Sequence, residues 1–466
     1  KRASCSRQLL LCWLRQTRQT REYFLCYSNL YWFGGCVSGV IMNLYEKREI
    51  VGLSLFFLEI KSFLWYDRRK IRTNKYEKGM DKKMDQRKKI LFITGTRADY
   101  GKIKPIMQRM ERMQDRYEVF VYVSGMHLLQ KYGSTYREVQ KDGYRNTYVA
   151  FEQVMTDNMS HNLGVVLMNL ARYTEKIQPD MIVVHGDRID ALAGAITGAL
   201  NNILVAHIEG GEISGTIDDS IRHAISKFAH LHFVCNEEAR KRLLQMGEQP
   251  ERVFVIGSPD IDIMLGGNLP SLEQACERYE IEFDSYGIFM YHPVTTEVEE
   301  LADHIHQVVE ALLQSGGNYI VVYPNNDNGT EIVLNEIGRL YGNKHFRIFP
   351  SIRFEYFLTF LKNASVIVGN SSAGIRESGI YGIPAIDIGS RQQGRYDMEQ
   401  LKNIQHAEEN VPDILDKLSR IREHRIQAEG FGGGNSTELF FDVLDRQDIW
   451  NLDIQKTFVD IRGLRR

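Results

Sequence analysis

From Lys89 onward the chain repeats one unit, a short apolar run rich in β-branched residues followed by a stretch with helical spacing. That alternation is what βαβ units produce, and it commits a chain to a parallel sheet covered by helices on both faces. The clearest runs lie at 90–94, 119–123, 181–184, 203–208, 232–235 and 253–256. Turn residues then cluster at Gly266, Gly267, Asn268 and Pro270, a helix is predicted at 271–279, and a second series of runs follows at 287–291, 319–323, 346–349, 366–368 and 385–388. The expectation is an α/β chain of two doubly wound, Rossmann-like domains facing a cleft. They are assigned to residues 87–267 and 268–445, the second ending in a return helix, with a tail at 446–466.

The opening of the chain is a different kind of sequence. Residues 1–89 carry 20 Lys and Arg against 8 Asp and Glu, while 90–466 carry 38 against 52, so the net charge of −2 is a cancellation. Residues 50–66 are largely apolar and precede the basic run Arg68, Arg69, Lys70 and Arg72, but Glu59 and Lys61 interrupt them. A spanning helix needs about 20 mostly apolar residues, and each central charge costs roughly 2.5–3.5 kcal/mol. An interfacial patch fits better than a span, and the apolar core and small-residue cleavage site of a signal peptide are missing. Residues 1–86 are therefore expected to be a non-native or disordered basic extension, with Met80 or Met84 as the start. The acidic body has no zinc-finger or RNA-binding signature, so nucleic acid is not an expected partner, nor is a membrane for the body. Cys235 and Cys276 are isolated and no C-x-x-C occurs, which suits a reducing, cytoplasmic setting.

Doubly wound sheets bind ligands outside the carboxyl ends of their strands. The polar residues of this chain gather there. The run 90–94 is followed by Gly95, Thr96, Arg97 and Asp99; 181–184 by His185, Gly186, Asp187 and Arg188; 203–208 by Glu209, Gly210, Gly211 and Glu212. In the second series 287–291 leads to His292 and Pro293, 319–323 to Asn325, Asn326 and Asp327, and 366–368 to Gly369, Asn370, Ser371, Ser372, Ala373 and Gly374. The last loop reads as an anion cradle whose small residues let backbone N–H groups approach a phosphate, helped by a helix beginning near Gly374. Arg188 and Arg391 would add charge, and Glu377, a turn beyond, could accept from ribose hydroxyls. Asp187, Glu209, Glu212, Asp218 and Asp219, near Arg188, Arg222 and His292, are the mixture that proton transfer beside an anionic leaving group requires.

Other chemistries are weaker. There is no G-x-x-x-x-G-K-[ST], and the glycines at 430–434 follow no predicted strand. The pairs His230/His232 and His304/His306 lack a third ligand at metal spacing, and Ser371 and Ser372 have no base partner, so no metal and no nucleophilic serine is expected.

The ordered blocks GTRADYGK (95–102), VHGDR (184–188), HIEGGEISGTIDDSIRHAI (207–225), HPVTT (292–296), GNSSAGIRE (369–377) and GSRQ (389–392) resemble the hydrolysing UDP-N-acetylglucosamine 2-epimerases of sialic acid biosynthesis. The likeness runs from about residue 88 to 444. It implies a GT-B-like fold, no cofactor, a UDP-sugar substrate, and a homodimer or homotetramer. The reaction implied is UDP-N-acetylglucosamine plus water to N-acetylmannosamine plus UDP, through 2-acetamidoglucal. By the same resemblance Arg97, Gly101, Arg188, Arg222, His292, Asn325, Ile352, Ser371, Ser372, Glu377 and Arg391 bind substrate, with Ile352 at uracil and Glu377 at the ribose. Asp187, Glu209, Asp218 and His292 are implied to be catalytic, without a division into base and acid. The sequence RADY and HIEGGE, in place of the related RPE and HVEAGLR, favours hydrolysis. A hydrolysing 2-epimerase of a UDP-2,4-diacetamido-trideoxy sugar shares the motifs, and a non-catalytic sugar-nucleotide sensor would keep the loop but lose the acids, which are all present.

Overall fold

Seven strands form the first sheet: β1 Lys88–Thr94, β2 Tyr117–Val123, β3 Asn146–Val149, β4 Met181–His185, β5 Leu204–Ile208, β6 Leu231–Val234 and β7 Val253–Val255. Six form the second: β8 Gly287–Met290, β9 Tyr319–Val322, β10 Phe346–Phe349, β11 Ile367–Gly369, β12 Ala385–Ile388 and β13 Ile404–Ala407. These come from a computed structural model that describes residues 87–460 except 154, 155, 157, 215, 429 and 458. The basic extension, the patch at 50–66 and the starts at Met80 or Met84 lie outside the described residues.

The strand orders are β3-β2-β1-β4-β5-β6-β7 and β10-β9-β8-β11-β12-β13, and the pairings are parallel in both. Each order reverses once, between β1 and β4 and between β8 and β11, which makes each sheet doubly wound. Why the strands read as continuous apolar runs is visible in β1. Ile90 and Phe92 point into one core with Ile103, Met107 and Phe233, whereas Leu91 and Ile93 point into the other with Val166, Leu170 and Val184. Successive side chains alternate faces, and both faces are covered by helices. The second sheet repeats this, with Ile288 and Ile320 on one face and Phe289 and Val321 on the other.

Strands β3 and β13 were not among the sequence expectations. Both are edge strands with little apolar signal, NTYV and IQHA. Local signals set the helix starts: Thr96 and Ser271 close capping boxes with Asp99 and Gln274. The Ser436–Leu444 helix puts Phe440 and Phe441 into the core of the first sheet beside Phe233 and Tyr117. Beyond it, in the segment read from sequence as a tail, Ile449 is 1% exposed in that same core and Trp450, Leu452 and Ile454 pack against it. Among the described residues no helix is long and apolar enough to cross a membrane.

Glu248 ties this last segment down. Its carboxylate accepts from Lys456 at 2.6 Å, Lys227 at 2.7 Å and His232 at 3.0 Å. Burial pushes its pKa up, but the His232 and lysine hydrogen bonds overcome that and bring it down to about 2. A carboxyl depressed in the fold stabilises above its unfolded pKa of about 4.3 and loses that contribution as pH falls toward the folded value. Glu248→Gln is expected to cost about 1–2 kcal/mol at pH 7, less than the full shift implies because Lys227 is half exposed. Urea unfolding of both proteins at pH 7 and near pH 2.5 checks this, with the difference shrinking at the lower pH.

Candidate active site

Both reversals of strand order open onto one cleft, which holds about 270 Å³ of space and is lined by residues 96–99, 185–188, 292 and 371–373 from the four central strands. On the second-domain wall, Gly369 ends β11 with φ +127°, and a Cβ there would stand 1.9 Å from the Met290 carbonyl oxygen. Only glycine fits so close an approach. The next residue, Asn370, accepts from the His292 N–H at 2.7 Å and donates to the His292 carbonyl at 2.8 Å, which fixes His292 beside the loop. The His292 ring accepts at Nδ1 from the Asn325 N–H, 3.0 Å away, so its proton sits on Nε2. Burial and the Arg391 and Arg188 guanidiniums hold its pKa far below the usual imidazole range. His292 is therefore a neutral N–H donor.

The helix expected near Gly374 is a correction. Residues Ser372–Gly374 form a single tight turn, and the helix proper, Glu377–Ile380, has four residues. The chain breaks there because Arg376 turns inward. So short a helix adds little dipole, and the positive charge comes from side chains. Arg391 donates to the Asn370 carbonyl at 3.1 Å and pairs with Asp218 across the cleft at 3.1 Å. Arg188, from the other wall, pairs with Asp327 at 2.7 Å.

The first-domain wall carries the acids. Asp187 is ion-paired with Arg222, and although burial pushes its carboxyl up, Arg222, Arg188 and Arg395 hold it well below the usual range. Glu209 follows β5 with φ +65°, an uncommon conformation for a residue with a side chain. It is held there by Arg376 at 2.6 Å, His185 at 3.2 Å, Lys102 at 3.7 Å and a short bond from Ser258. Burial opposes its charge, but Arg376, Lys102 and His185 hold it ionised. Glu212 pairs with Arg376 at 2.5 Å and Arg395 at 3.0 Å. Asp218 is the exception: burial and the facing Asp187 push its carboxyl up, and its Oδ1 has no hydrogen-bond partner.

Glu377 lines the cleft. One oxygen meets Lys102 at 3.1 Å and the other, buried, has no partner. Burial, with Asp260 adding to it, lifts its pKa to about 7 against the pull of Lys102. Ser371, Ser372, Asn325 and Ile352 also line the cleft, Ile352 on an apolar stretch with Phe354 and Phe357. Arg97 reaches the cleft but is engaged by Glu138 and by Ser351, whose Oγ accepts from it at 2.7 Å.

One assignment needs correcting. Gly101 is not among the lining residues. A Cβ on it would stand 2.5 Å from the Phe354 ring, so its role is to let the Arg97–Arg112 helix pack against the second domain. Arg222 lines the cleft and is 1% exposed, with its guanidinium on Asp187, on Asp219 at 2.8 Å and on the Glu212 carbonyl at 3.1 Å, so it positions the acids of that wall. Sequence reasoning missed Lys102, Asp260, Arg376 and Arg395, and placed His185 at the strand end without giving it a role. Lys102 lies one turn after Asp99 on the same helix face and Arg376 directly precedes Glu377, so their places beside predicted residues were the available signals.

A cleft between two doubly wound domains, with a small-residue loop and arginines on one wall and carboxylates on the other, defines a GT-B-like enzyme that handles an anionic ligand. Residues 109–445 match the UDP-N-acetylglucosamine 2-epimerase family, and the chain belongs to that family. It is 46% identical over 377 residues to the UDP-N-acetylglucosamine 2-epimerase of Neisseria meningitidis serogroup B, covering 80% of this chain and 99% of that one. It is 31% identical to the UDP-N,N'-diacetylbacillosamine 2-epimerase (hydrolyzing) of Legionella pneumophila, covering 77% and 95%. The fold matches the Methanocaldococcus jannaschii UDP-GlcNAc 2-epimerase solved with UDP-GlcNAc and UDP, with a TM-score of 0.66, 22% identity, and coverage of 76% and 99%.

Proposed function

We propose that the chain is a hydrolysing UDP-N-acetylglucosamine 2-epimerase, which converts UDP-N-acetylglucosamine and water into N-acetylmannosamine and UDP for sialic acid synthesis. The carrying observation is the 3.1 Å approach of Asp218 to Arg391, which brings the acidic wall against the phosphate-binding wall. In the first step the C2 proton passes to a carboxylate, the C1–O bond breaks with its electron pair going to the β-phosphate oxygen, and a C1–C2 double bond forms. Water then adds, OH to C1 and a proton to C2 from the opposite face. Asp187 and Glu209, held ionised, suit proton acceptance, while Asp218, whose carboxyl is pushed up, suits proton donation. The neutral His292 Nε2–H, Arg188, Arg391, Asn325 and the loop of Ser371 and Ser372 suit the diphosphate. The Ile352 backbone suits uracil, and Glu377, which lines the cleft, suits a ribose hydroxyl. Arg97 joins the nucleotide contacts if it leaves Glu138.

Incubation with UDP-N-acetylglucosamine, followed by NMR, is expected to give UDP and N-acetylmannosamine, with deuterium at C2 when run in D2O. No release of UDP refutes the reading. The 31% identity to the diacetylbacillosamine enzyme supports a second substrate, and the same assay with both sugars separates the two. A cytoplasmic setting is part of the proposal, which the free thiols of Cys235 and Cys276 suit, and so is a homo-oligomer, which rests on the family resemblance. Glu377→Ala is expected to weaken UDP roughly 10–100-fold, the loss of hydrogen bonds to a charged group, as read by calorimetry.

A further inference from the structure

Arg391 and Arg188, the two arginines proposed to meet the diphosphate, are both engaged by carboxylates across the cleft. Arg391 of the second domain pairs with Asp218 of the first at 3.1 Å, and Arg188 of the first pairs with Asp327 of the second at 2.7 Å. All four side chains are mostly buried. A diphosphate entering the loop brings more negative charge than either carboxylate and matches the planar fork of a guanidinium. It therefore competes with the acids for the same donors.

The two acids would fare differently. Asp327 keeps a second donor, the Asn325 side-chain amide, at a short distance. Asp218 does not, because its Oδ1 is buried without a partner and its Oδ2 accepts from Arg391. The groups that face Asp218 are Asp187 and Arg188 beyond β4, Asp219 and Arg222 on its own helix, Asp327 beyond β9, and Arg391 beyond β12. Of the cations, Arg188 is on Asp327 and Arg222 on Asp187 and Asp219. Among the described residues Arg391 is the one cation at ion-pair distance from Asp218, and Arg188, which also holds the Asp218 charge from farther off, would be drawn to the same diphosphate. A buried carboxylate that loses its counter-ion beside another carboxylate and a phosphate takes up a proton.

Resting on the diphosphate reading of the cleft, we propose that nucleotide binding draws Arg391 from Asp218 to the phosphate, and that Asp218 then binds a proton from solvent. Nucleotide and proton thus enter together, and the proton arrives beside the oxygen that must leave with UDP. The upward push on the Asp218 carboxyl already present with Arg391 in place agrees with this direction. The device makes the acid form of Asp218 depend on the nucleotide.

The test is titration calorimetry of UDP into the protein at pH 7.5 in two buffers of different ionisation enthalpy, which counts protons bound per nucleotide. The wild type is expected to take up close to one proton more than Asp218→Asn, with UDP bound by both. Equal counts in the two proteins overturn the inference and leave the proposed function standing, whereas absence of UDP binding by the wild type overturns both. The wild type alone gives a second measurement, because its infrared difference spectrum on UDP binding should gain a protonated-carboxyl band. Absence of that band overturns the inference even if Asp218→Asn does not fold. Glu377→Gln, which removes the other raised carboxyl of the cleft, should retain the band, and its loss there assigns the proton to Glu377 and overturns the inference.

Discussion

Glu209→Gln and Asp187→Asn are each expected to lower kcat by roughly 10²–10⁴-fold, the usual contribution of a positioned acid or base, while UDP still binds. Each change removes a proton acceptor at nearly constant volume, and neither residue lies on the loop of Ser371 and Ser372 or supplies a guanidinium to the phosphates. The structure sharpens the choice of probe. Glu209 is held by Arg376, Lys102, His185 and Ser258 in a left-handed backbone conformation, so the neutral amide keeps the shape and loses the charge. Steady-state kinetics with UDP calorimetry on the same preparations reads both halves of the expectation. Unchanged turnover in both variants sinks the assignment of proton transfer to these acids.

Arg376→Leu is expected to destabilise the fold by about 3–5 kcal/mol, the range for breaking a buried ion pair by removing one partner. Arg376 is 2% exposed and donates to Glu209, Glu212 and Ser258 from a position one residue before Glu377. Without it, Glu209 keeps Lys102 and His185 and Glu212 keeps Arg395, but each buried carboxylate loses its closest counter-ion. Their pKa values would rise from the depressed wild-type values, and because a depressed carboxyl contributes above its unfolded pKa, the loss should be present at both pH 5 and pH 8. The wild type has both carboxyls depressed and gains nothing from acid in that range. Arg376→Lys is expected to fall between, since an ammonium cannot bridge two carboxylates in one plane. Urea unfolding at pH 5 and pH 8 decides it, and a variant as stable as wild type at pH 8 would remove Arg376 from the centre of the seam between domains.

Much of the cleft was legible because the fold type dictates where polar residues collect. Asp187, Glu209, Asn325, Ser371 and Glu377 each follow a strand in the sequence, and strands β4, β5, β9 and β11 bring them to one cleft. The reading failed where a residue's direction mattered more than its place. Gly101 lies in the right block, but it faces the Phe354 ring. Strand β3 was missed because its four residues are only half buried and need no apolar run, and β13, though largely buried, because Gln405 and His406 interrupt its apolar signal.

The sequence by itself determined the two doubly wound sheets, since strands buried on both faces must be apolar throughout and separated by helical crossovers. It also determined the edge at which the chemistry gathers. Only the tertiary structure decided which charges neutralise which. Arg376 meets Glu209 from 167 residues away and Arg391 meets Asp218 from 173 away, and no local pattern records such pairs. Ionisation in a buried cleft depends on those partners and on desolvation, and both exist only once the two domains have closed around the same space.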